Sequence, residues 1–306
     1  MQIPPYLKPG DTVALVSTAR KITEAEIQPA IDLLNSWDLK ALVGTTIGAE
    51  SNQFAGDDAL RASDFQVMLD KSEVKAIWCA RGGYGTVRII DKLDFSGFLK
   101  NPKWIIGYSD ITVLHSHIHK LGVATLHAQM CLEIENKSEA TRETLRKALF
   151  GEIYSIEYNS THPLQRNGEV RGQLVGGNLS MLYSLCGSPS ALSTQGKILF
   201  LEDLDEHLYH VDRMMQNLKR NGMLQDLAGL IVGGMSDMKD HTKEFGFATD
   251  RPFGKTAEEI IFDTVKEYDY PVCFGFPAGH ILDNRAMVMG SEVRLFVNDK
   301  QVLLTN

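Results

Sequence analysis

The sequence predicts an α/β protein of two domains, and three observations lead to this prediction. The chain has 306 residues, which is more than one small core normally organises. Its first half alternates strand-like apolar runs with helix-like amphipathic stretches, as in a mainly parallel sheet covered on both faces. Beyond Phe150 a polar, turn-rich segment appears, and the strands that follow it are shorter.

The first domain is assigned to residues 1–152. Strands are predicted where apolar and β-branched residues run together, and helices where apolar residues recur every three or four positions. The predicted strands cover 12–17, 41–43, 74–79, 104–107 and 123–127, and the predicted helices cover 24–37, 59–69 and a stretch ending near 150. Active sites of such sheets gather at the carboxyl ends of the strands, where Arg81 and Ser109 both fall.

Residues 153–167, with Pro163 and Asn167-Gly168, are interpreted as a linker, and residues 168–306 as the second domain. One long amphipathic helix is predicted over 207–221. The chain ends in a predicted hairpin that turns at Asn298-Asp299. The other predicted strands of this domain cover 173–175, 197–201, 229–232 and 272–274.

Composition excludes several classes of function. The formal net charge of −8 argues against a nucleic-acid-binding protein, which needs a basic surface. No apolar run is long enough for a membrane span, and the N-terminus lacks the pattern of a secretory signal. The four cysteines form no C-x-x-C pair, so we expect reduced thiols in a cytosolic protein.

The segment Lys103–Asp110 predicts a nucleophilic serine. It consists of a short apolar strand, a glycine turn at Gly107 and then Ser109, after which a helix begins at once. This arrangement lifts a hydroxyl above the end of a sheet, beside the unpaired amides of a helix N-terminus. Such a serine can attack a carbonyl while the amides hold the oxyanion. The second glycine of the G-x-S-x-G signature is missing, so the motif alone does not indicate an α/β-hydrolase.

A glycine-rich loop, Ala80–Thr86, directly follows the third predicted strand and contains Arg81. Glycines at this density let a backbone approach a ligand and turn its N–H groups inward. A plain strand-to-helix turn would explain the same residues equally well. A phosphate loop is disfavoured because the Lys-Ser/Thr pair of a Walker motif is absent.

Glu202 and His280 are further candidates because each follows or closes a predicted apolar strand. A carboxylate at the end of such a strand is partly desolvated and needs a partner, as a base-orienting carboxylate does. His280 lies on a glycine- and proline-rich turn, a common setting for a catalytic base. Helix capping could account for the acidic run after Glu202, and an isolated histidine is more often structural.

Three histidines on the helix after Ser109 raise the question of a metal. His115 and His119 are four residues apart and could share a helix face. No glutamate lies between them and no third ligand has an evident spacing. We therefore favour packing and surface roles, and expect neither a metal nor a cofactor.

Taken in order, these blocks resemble the LD-carboxypeptidases of serine peptidase family S66, which include murein tetrapeptide carboxypeptidases and microcin C immunity-type relatives. The resemblance covers nearly the whole chain. It rests on Leu7–Asp11, Ala80–Gly85, Gly107–Thr112, Gly176–Leu179, Leu201–Asp203 and Gly279-His280.

The resemblance implies a catalytic triad of Ser109 as nucleophile, His280 as general base and Glu202 as the carboxylate that orients it. It also implies an oxyanion hole formed by the backbone N–H groups of Gly83 and Asp110. The implied fold is a Rossmann-like first domain, similar to class I glutamine amidotransferases, with a mixed α/β second domain. The triad would form across the two domains.

The implied activity is release of a terminal D-alanine from a muropeptide by a cytosolic, usually dimeric enzyme. Arg81 is a candidate to bind the substrate's free carboxylate, since guanidinium pairs with carboxylate through two hydrogen bonds; organising its own loop is the alternative. The run Met235–Gly254 is long and polar for this family, which suggests a lid or a dimer contact.

Three other functions stay open at this point. The first is inactivation of aminoacyl-nucleotide toxins by the same chemistry. The second is a non-catalytic two-domain protein that binds a ligand in its cleft. A metal hydrolase is a remote third.

Overall fold

The computed structural model describes residues 1–305. The chain forms two compact units, one made of Met1–Tyr154 with Leu282–Ser291, the other of Ser155–Ile281 with the C-terminal segment from Glu292. Within residues 1–305, none of the helices is both long and apolar enough to cross a membrane.

The two units contain eight α-helices and thirteen strands among the described residues. The helices are α1 (Glu24–Ser36), α2 (Asp58–Asp70), α3 (Ser96–Lys100), α4 (Thr112–Lys120), α5 (Glu139–Phe150), α6 (Leu179–Leu185), α7 (Leu208–Arg220) and α8 (Ala257–Val265). The strands are β1 (Thr12–Val16), β2 (Lys40–Val43), β3 (Val74–Cys79), β4 (Trp104–Gly107), β5 (Thr125–His127), β6 (Ser155–Asn159), β7 (Gly168–Asn178), β8 (Ile198–Leu204), β9 (Gly229–Ser236), β10 (Val272–Cys273), β11 (Met287–Met289), β12 (Glu292–Val297) and β13 (Gln301–Thr305).

The first unit is built on a six-stranded sheet in the order β11-β5-β4-β3-β1-β2. Strands β1 to β5 pair in parallel, and β11 is antiparallel to β5. Residues in the central strands, such as Leu15, Trp78 and Ile105, are completely buried, because helices cover both faces of a parallel sheet. The predicted α/β class with parallel strands is confirmed. The strand order reverses between β1 and β3, where ligands bind in sheets of this kind.

The second unit contains a seven-stranded sheet in the order β10-β9-β8-β7-β12-β13-β6. Strands β7 to β10 pair in parallel, whereas β12, β13 and β6 continue the sheet in antiparallel pairing. Its hydrophobic core includes Leu199 and Leu201 of β8, Met215 of α7 and Ile261 of α8. The glutamate at position 202 therefore lies on a strand of this core.

Two segments differ from the sequence-based assignment. The predicted linker 153–167 contains β6, an edge strand paired with β13 whose residues are mostly exposed. Its polar outer face resembles a loop in sequence. The segment Leu282–Ser291, assigned to the second domain, packs with the first unit through β11, which pairs with β5. With only three residues, β11 offers too short a pattern to recognise.

Candidate active site

Ser109 stands at a strained turn between β4 and α4. Its φ is +62°, a left-handed conformation that non-glycine residues rarely adopt. A short 3₁₀ turn over Ser109–Ile111 follows, and α4 continues from it. The side chain is nearly buried, at 8% exposure. Nucleophilic serines of strand-turn-helix elbows are held in this kind of strain, which presents the hydroxyl at the sheet edge.

Gly107 explains why the turn needs only one of the two glycines of the elbow signature. A Cβ on Gly107 would lie 2.7 Å from Cγ1 of Ile111, closer than any real contact. Ile111 occupies the position of the second glycine and fills the space that Gly107 leaves open. The turn is therefore closed by one glycine and one complementary isoleucine.

The glycine-rich loop lies directly against the serine turn. A Cβ on Gly82 would be 3.4 Å from the Ser109 Cβ and 3.5 Å from the Asp110 backbone nitrogen. Gly83 has a φ of +105°, and a Cβ there would lie 2.6 Å from the Arg20 side chain. Among residues 1–305 the Gly83 amide donates no hydrogen bond. The glycines thus allow backbone, rather than side chains, to border the serine.

Asp110 ties the serine turn to this loop through its side chain. Its Oδ2 accepts a hydrogen bond from the Thr86 backbone amide at 2.9 Å. The carboxyl is almost fully buried, and burial raises its pKa, while hydrogen bonds from Thr86 and Gly85 act in the opposite direction. The side chain of Asp110 therefore connects the serine turn to the glycine-rich loop.

Arg81 contacts the loop that follows β1. Its Nη1 donates to the Lys21 carbonyl oxygen at 3.0 Å, and its side chain is partly exposed. This bond provides the loop-organising role considered for Arg81. Binding of a substrate carboxylate remains a prediction.

In the second unit, Glu202 and His280 form a close pair. Oε2 of Glu202 lies 2.6 Å from Nδ1 of His280 and also accepts the His280 backbone amide at 3.2 Å. Glu202 is fully buried within β8, two residues before its end, and the His280 carbonyl accepts a bond from Ser236 Oγ at 2.8 Å. Since an ionised carboxylate only accepts, Nδ1 carries the proton in this bond, and in a neutral imidazole the lone pair then lies on Nε2.

Gly279 makes this pair possible. It has a φ of +106°, and a Cβ on it would lie 2.8 Å from both Cβ and Oε2 of Glu202. Any side chain at this position would displace the carboxylate. Next to the pair, burial and the Glu202 carboxylate raise the pKa of Asp203 to about 7, against hydrogen bonds from Leu204 and Asn178.

The histidines of α4 have packing roles where the structure shows their contacts. His115 is buried, with Nδ1 2.8 Å from Thr125 Oγ1 and Nε2 2.9 Å from the Gly107 carbonyl oxygen. Both ring nitrogens are thus occupied by the protein. Across residues 1–305, no group of three acidic, histidine or cysteine side chains is arranged to hold a metal ion.

The structure also shows polar residues that the sequence did not single out. Arg61 of α2 is fully buried and donates to the Thr18 and Gly85 carbonyl oxygens. Asn178, at the end of β7, donates to Asp203. Arg61 lies next to Ala62 and four residues before Phe65 on the buried side of α2, but this spacing does not reveal what an arginine side chain contacts.

Comparison with protein families gives two adjacent matches. Residues 13–128 match the LD-carboxypeptidase N-terminal domain, and residues 171–295 match the LD-carboxypeptidase C-terminal domain. The first match includes the serine turn and the glycine-rich loop, and the second includes the glutamate–histidine pair.

Comparison with individual proteins covers nearly the whole chain. A probable murein peptide carboxypeptidase of Bacillus subtilis is 33% identical over 98% of this chain and 93% of its own. The crystal structure of muramoyltetrapeptide carboxypeptidase from Oxalobacter formigenes superposes with a TM-score of 0.84 at 26% identity, covering 96% of this chain and 97% of that one. The microcin C7 self-immunity protein MccF of Escherichia coli is 24% identical over 97% of this chain and 93% of its own.

Proposed function

Because this chain belongs to the LD-carboxypeptidase family, we propose that it is a serine carboxypeptidase that releases a terminal D-alanine from murein tetrapeptide. The observation that carries the proposal is the position of Ser109. Its backbone is held in the strained left-handed conformation, and its side chain lies against the glycine-rich loop. The carboxypeptidases of Bacillus and Oxalobacter named above support the choice of substrate.

In this mechanism Ser109 Oγ attacks the carbonyl carbon of the amide between an L-centre and the terminal D-residue. Nε2 of His280 takes the hydroxyl proton as the new C–O bond forms. The C–N bond then breaks and His280 gives the proton to the leaving amine. Water attacks the acyl-enzyme by the same route in reverse and restores the serine.

Glu202 orients the histidine in this reaction. Its carboxylate accepts the Nδ1 proton, which keeps the Nε2 lone pair available and stabilises the imidazolium that forms. The second bond, from the His280 backbone amide, limits rotation of the carboxylate. Full burial excludes water that would compete for the Nδ1 proton.

We assign stabilisation of the oxyanion to the backbone amides of Gly83 and Asp110. The absence of an internal partner for the Gly83 amide, among the described residues, supports this assignment. Gly82 beside Ser109 supports it further, since it brings the loop backbone to the nucleophile. Each such donor contributes about 10²–10³ in rate when it is placed in advance.

A second substrate class is an aminoacyl-nucleotide toxin. It is favoured by the similarity to the self-immunity protein MccF over almost the full chain. The same triad would cleave an amide in either substrate, so the two functions differ in recognition and not in chemistry.

The experiment compares two substrates and one variant. Purified protein is assayed for release of D-alanine from a murein tetrapeptide and for cleavage of an aminoacyl sulfamoyl adenosine. We expect faster hydrolysis of the tetrapeptide, and a loss of several orders of magnitude in kcat for Ser109→Ala. Near-normal turnover by a folded Ser109→Ala would refute the serine mechanism, and preferential cleavage of the nucleotide would favour the immunity role. Absence of Ser109 labelling by a serine-directed acylating reagent would support a non-catalytic protein.

We further propose that the enzyme acts as a cytosolic homodimer, as the family resemblance implies. Sedimentation equilibrium at micromolar concentration measures the assembly directly. A monomer at that concentration would contradict it.

A further inference from the structure

Arg61 is a fully buried cation at the base of the glycine-rich loop. Its guanidinium donates through Nη1 to the Thr18 carbonyl oxygen at 2.6 Å and to the Gly85 carbonyl oxygen at 3.0 Å. Nη2 is paired with Asp58, and the guanidinium carbon lies 4.8 Å from the centre of the Phe54 ring. Burying a charge is costly, and a well-packed apolar side chain would stabilise a fold as well or better. The contacts of Arg61 therefore indicate a role other than filling space in the core.

The two carbonyls held by Arg61 belong to two loops at one edge of the sheet. Thr18 follows β1, and Gly85 lies in the loop that follows β3. Strands β1 and β3 are neighbours, so Arg61 joins both sides of the point where the strand order reverses. A Cβ on Gly85, whose φ is +150°, would lie 2.7 Å from the guanidinium. The close approach of Arg61 thus requires glycine at position 85.

The same loop is bound from its other side to the serine turn. The Thr86 amide donates to Asp110 at 2.9 Å, and the Thr86 hydroxyl lies 2.8 Å from the hydroxyl of Thr18. Asp110 directly follows Ser109. A chain of contacts therefore runs from Arg61 through Gly85 and Thr86 to the residue beside the nucleophile.

The opposite charges of the Arg61 guanidinium and the Asp110 carboxylate also link the two ends of this chain of contacts. Burial raises the pKa of the Asp110 carboxyl, and the hydrogen bonds from Thr86 and Gly85 together with the Arg61 guanidinium act in the opposite direction. Burial lowers the pKa of the Arg61 guanidinium, and the carboxylates of Asp58 and Asp110 act in the opposite direction.

We propose that Arg61 is a positioning residue for the oxyanion hole. By fixing the glycine-rich loop that contains Gly83, it sets the distance between the backbone amides of Gly83 and Asp110. This inference rests on the proposed serine mechanism and extends it. Gly83 lies two residues before the carbonyl that Arg61 holds, so release of Gly85 would let the Gly83 amide drift from Ser109. A displacement of about 1 Å in such a site can lower the rate by about a hundredfold.

The test uses Arg61→Lys and Arg61→Gln, with Arg88→Gln as a matched control. Arg88 also pairs with Asp58, at 2.9 Å, and its guanidinium carbon lies 5.5 Å from the centre of the Phe54 ring, but its side chain is 45% exposed. For the folded Arg61 variants we expect kcat for the tetrapeptide to fall by about tenfold to a hundredfold with KM nearly unchanged, because an oxyanion hole acts on the transition state. Arg88→Gln is expected to retain kcat. An unchanged kcat in a folded Arg61 variant, or an equal loss in Arg88→Gln, would overturn the proposal.

Two further measurements keep the result interpretable. Acylation of Ser109 by a p-nitrophenyl ester is followed in parallel, because it needs the oxyanion hole but no murein recognition. If the wild-type protein is acylated yet does not cleave the tetrapeptide, the proposed substrate is wrong, while the acylation rates of the variants still test Arg61.

If neither Arg61 variant folds, Asp58→Asn weakens the contact that holds the guanidinium and leaves Arg61 in place. A lower acylation rate in Asp58→Asn supports the proposal, and an unchanged rate overturns it.

Discussion

Glu202 and His280 are joined by two hydrogen bonds that end on the same oxygen. Oε2 of the fully buried Glu202 meets the His280 ring nitrogen Nδ1 at 2.6 Å and the His280 backbone amide at 3.2 Å. One oxygen thus orients the imidazole and also anchors the turn that carries it. The other oxygen, Oε1, is buried and has no hydrogen-bond partner among the described residues. Among the described residues, the Glu202 carboxylate therefore forms hydrogen bonds with His280 alone.

Glu202→Gln is expected to lower kcat by about 10³–10⁴-fold while the protein stays folded. The amide can present its NH₂ group to Nδ1 and so favour the tautomer with the proton on Nε2, which cannot act as a base. Steady-state kinetics on the tetrapeptide, with circular dichroism to check folding, measure this loss. A folded Glu202→Gln with at least one-tenth of normal kcat would mean that the carboxylate does not orient the base.

Ser109→Gly is expected to be more stable than Ser109→Ala by about 1 kcal/mol, although both are inactive. At a φ of +62° alanine retains the strain of the left-handed conformation, and glycine does not. Ser63, on the exposed face of α2, is the matched control: there the alanine variant is expected to be the more stable by about 1 kcal/mol. Denaturant unfolding of the four variants measures both differences. The same sign at both positions would contradict a strained Ser109.

The sequence predicted the parallel sheet well and supplied candidate residues for the site, because both predictions depend on local patterns. Continuous apolar runs marked the central strands, and the turn at Gly107 marked Ser109 as a nucleophile. Arg61 was missed since its partners are backbone carbonyls, one of them 43 residues away, which no sequence pattern encodes. Strand β11 was missed because its three residues gain their stability from pairing with β5, where Met287 lies opposite His127, 160 residues earlier in the chain.

His115 makes the stability of the protein depend on pH. Burial lowers its pKa to about 4, below the unfolded value near 6.5. Between these values the unfolded chain binds more protons than the native one, so the contribution of neutral His115 is complete above pH 6.5 and is lost as the pH falls towards 4. The full effect is roughly 3 kcal/mol.

The measurement is the difference in unfolding free energy between wild type and His115→Gln from pH 4 to 7. Taking the difference removes the contribution of carboxyl groups that titrate in the same range. We expect wild type to lose stability relative to the variant as the pH falls. His117→Gln, at a half-buried position on the same helix, is the control and should show a smaller change in the same direction. Parallel curves for wild type and His115→Gln would show that His115 is not held neutral.

Arg81→Met separates the two roles considered for Arg81. If the guanidinium binds the terminal carboxylate of the substrate, its loss should raise KM by about tenfold to a hundredfold, the value of one charge-assisted hydrogen bond. The effect should be confined to peptides with a free terminal carboxylate, because an amide-capped peptide offers no charge to pair. The bond from Arg81 to the Lys21 carbonyl would instead affect both peptides equally, through the shape of the loop. Kinetics on the matched pair of peptides decides between the roles. An equal change in KM for both peptides would show that Arg81 only organises its loop.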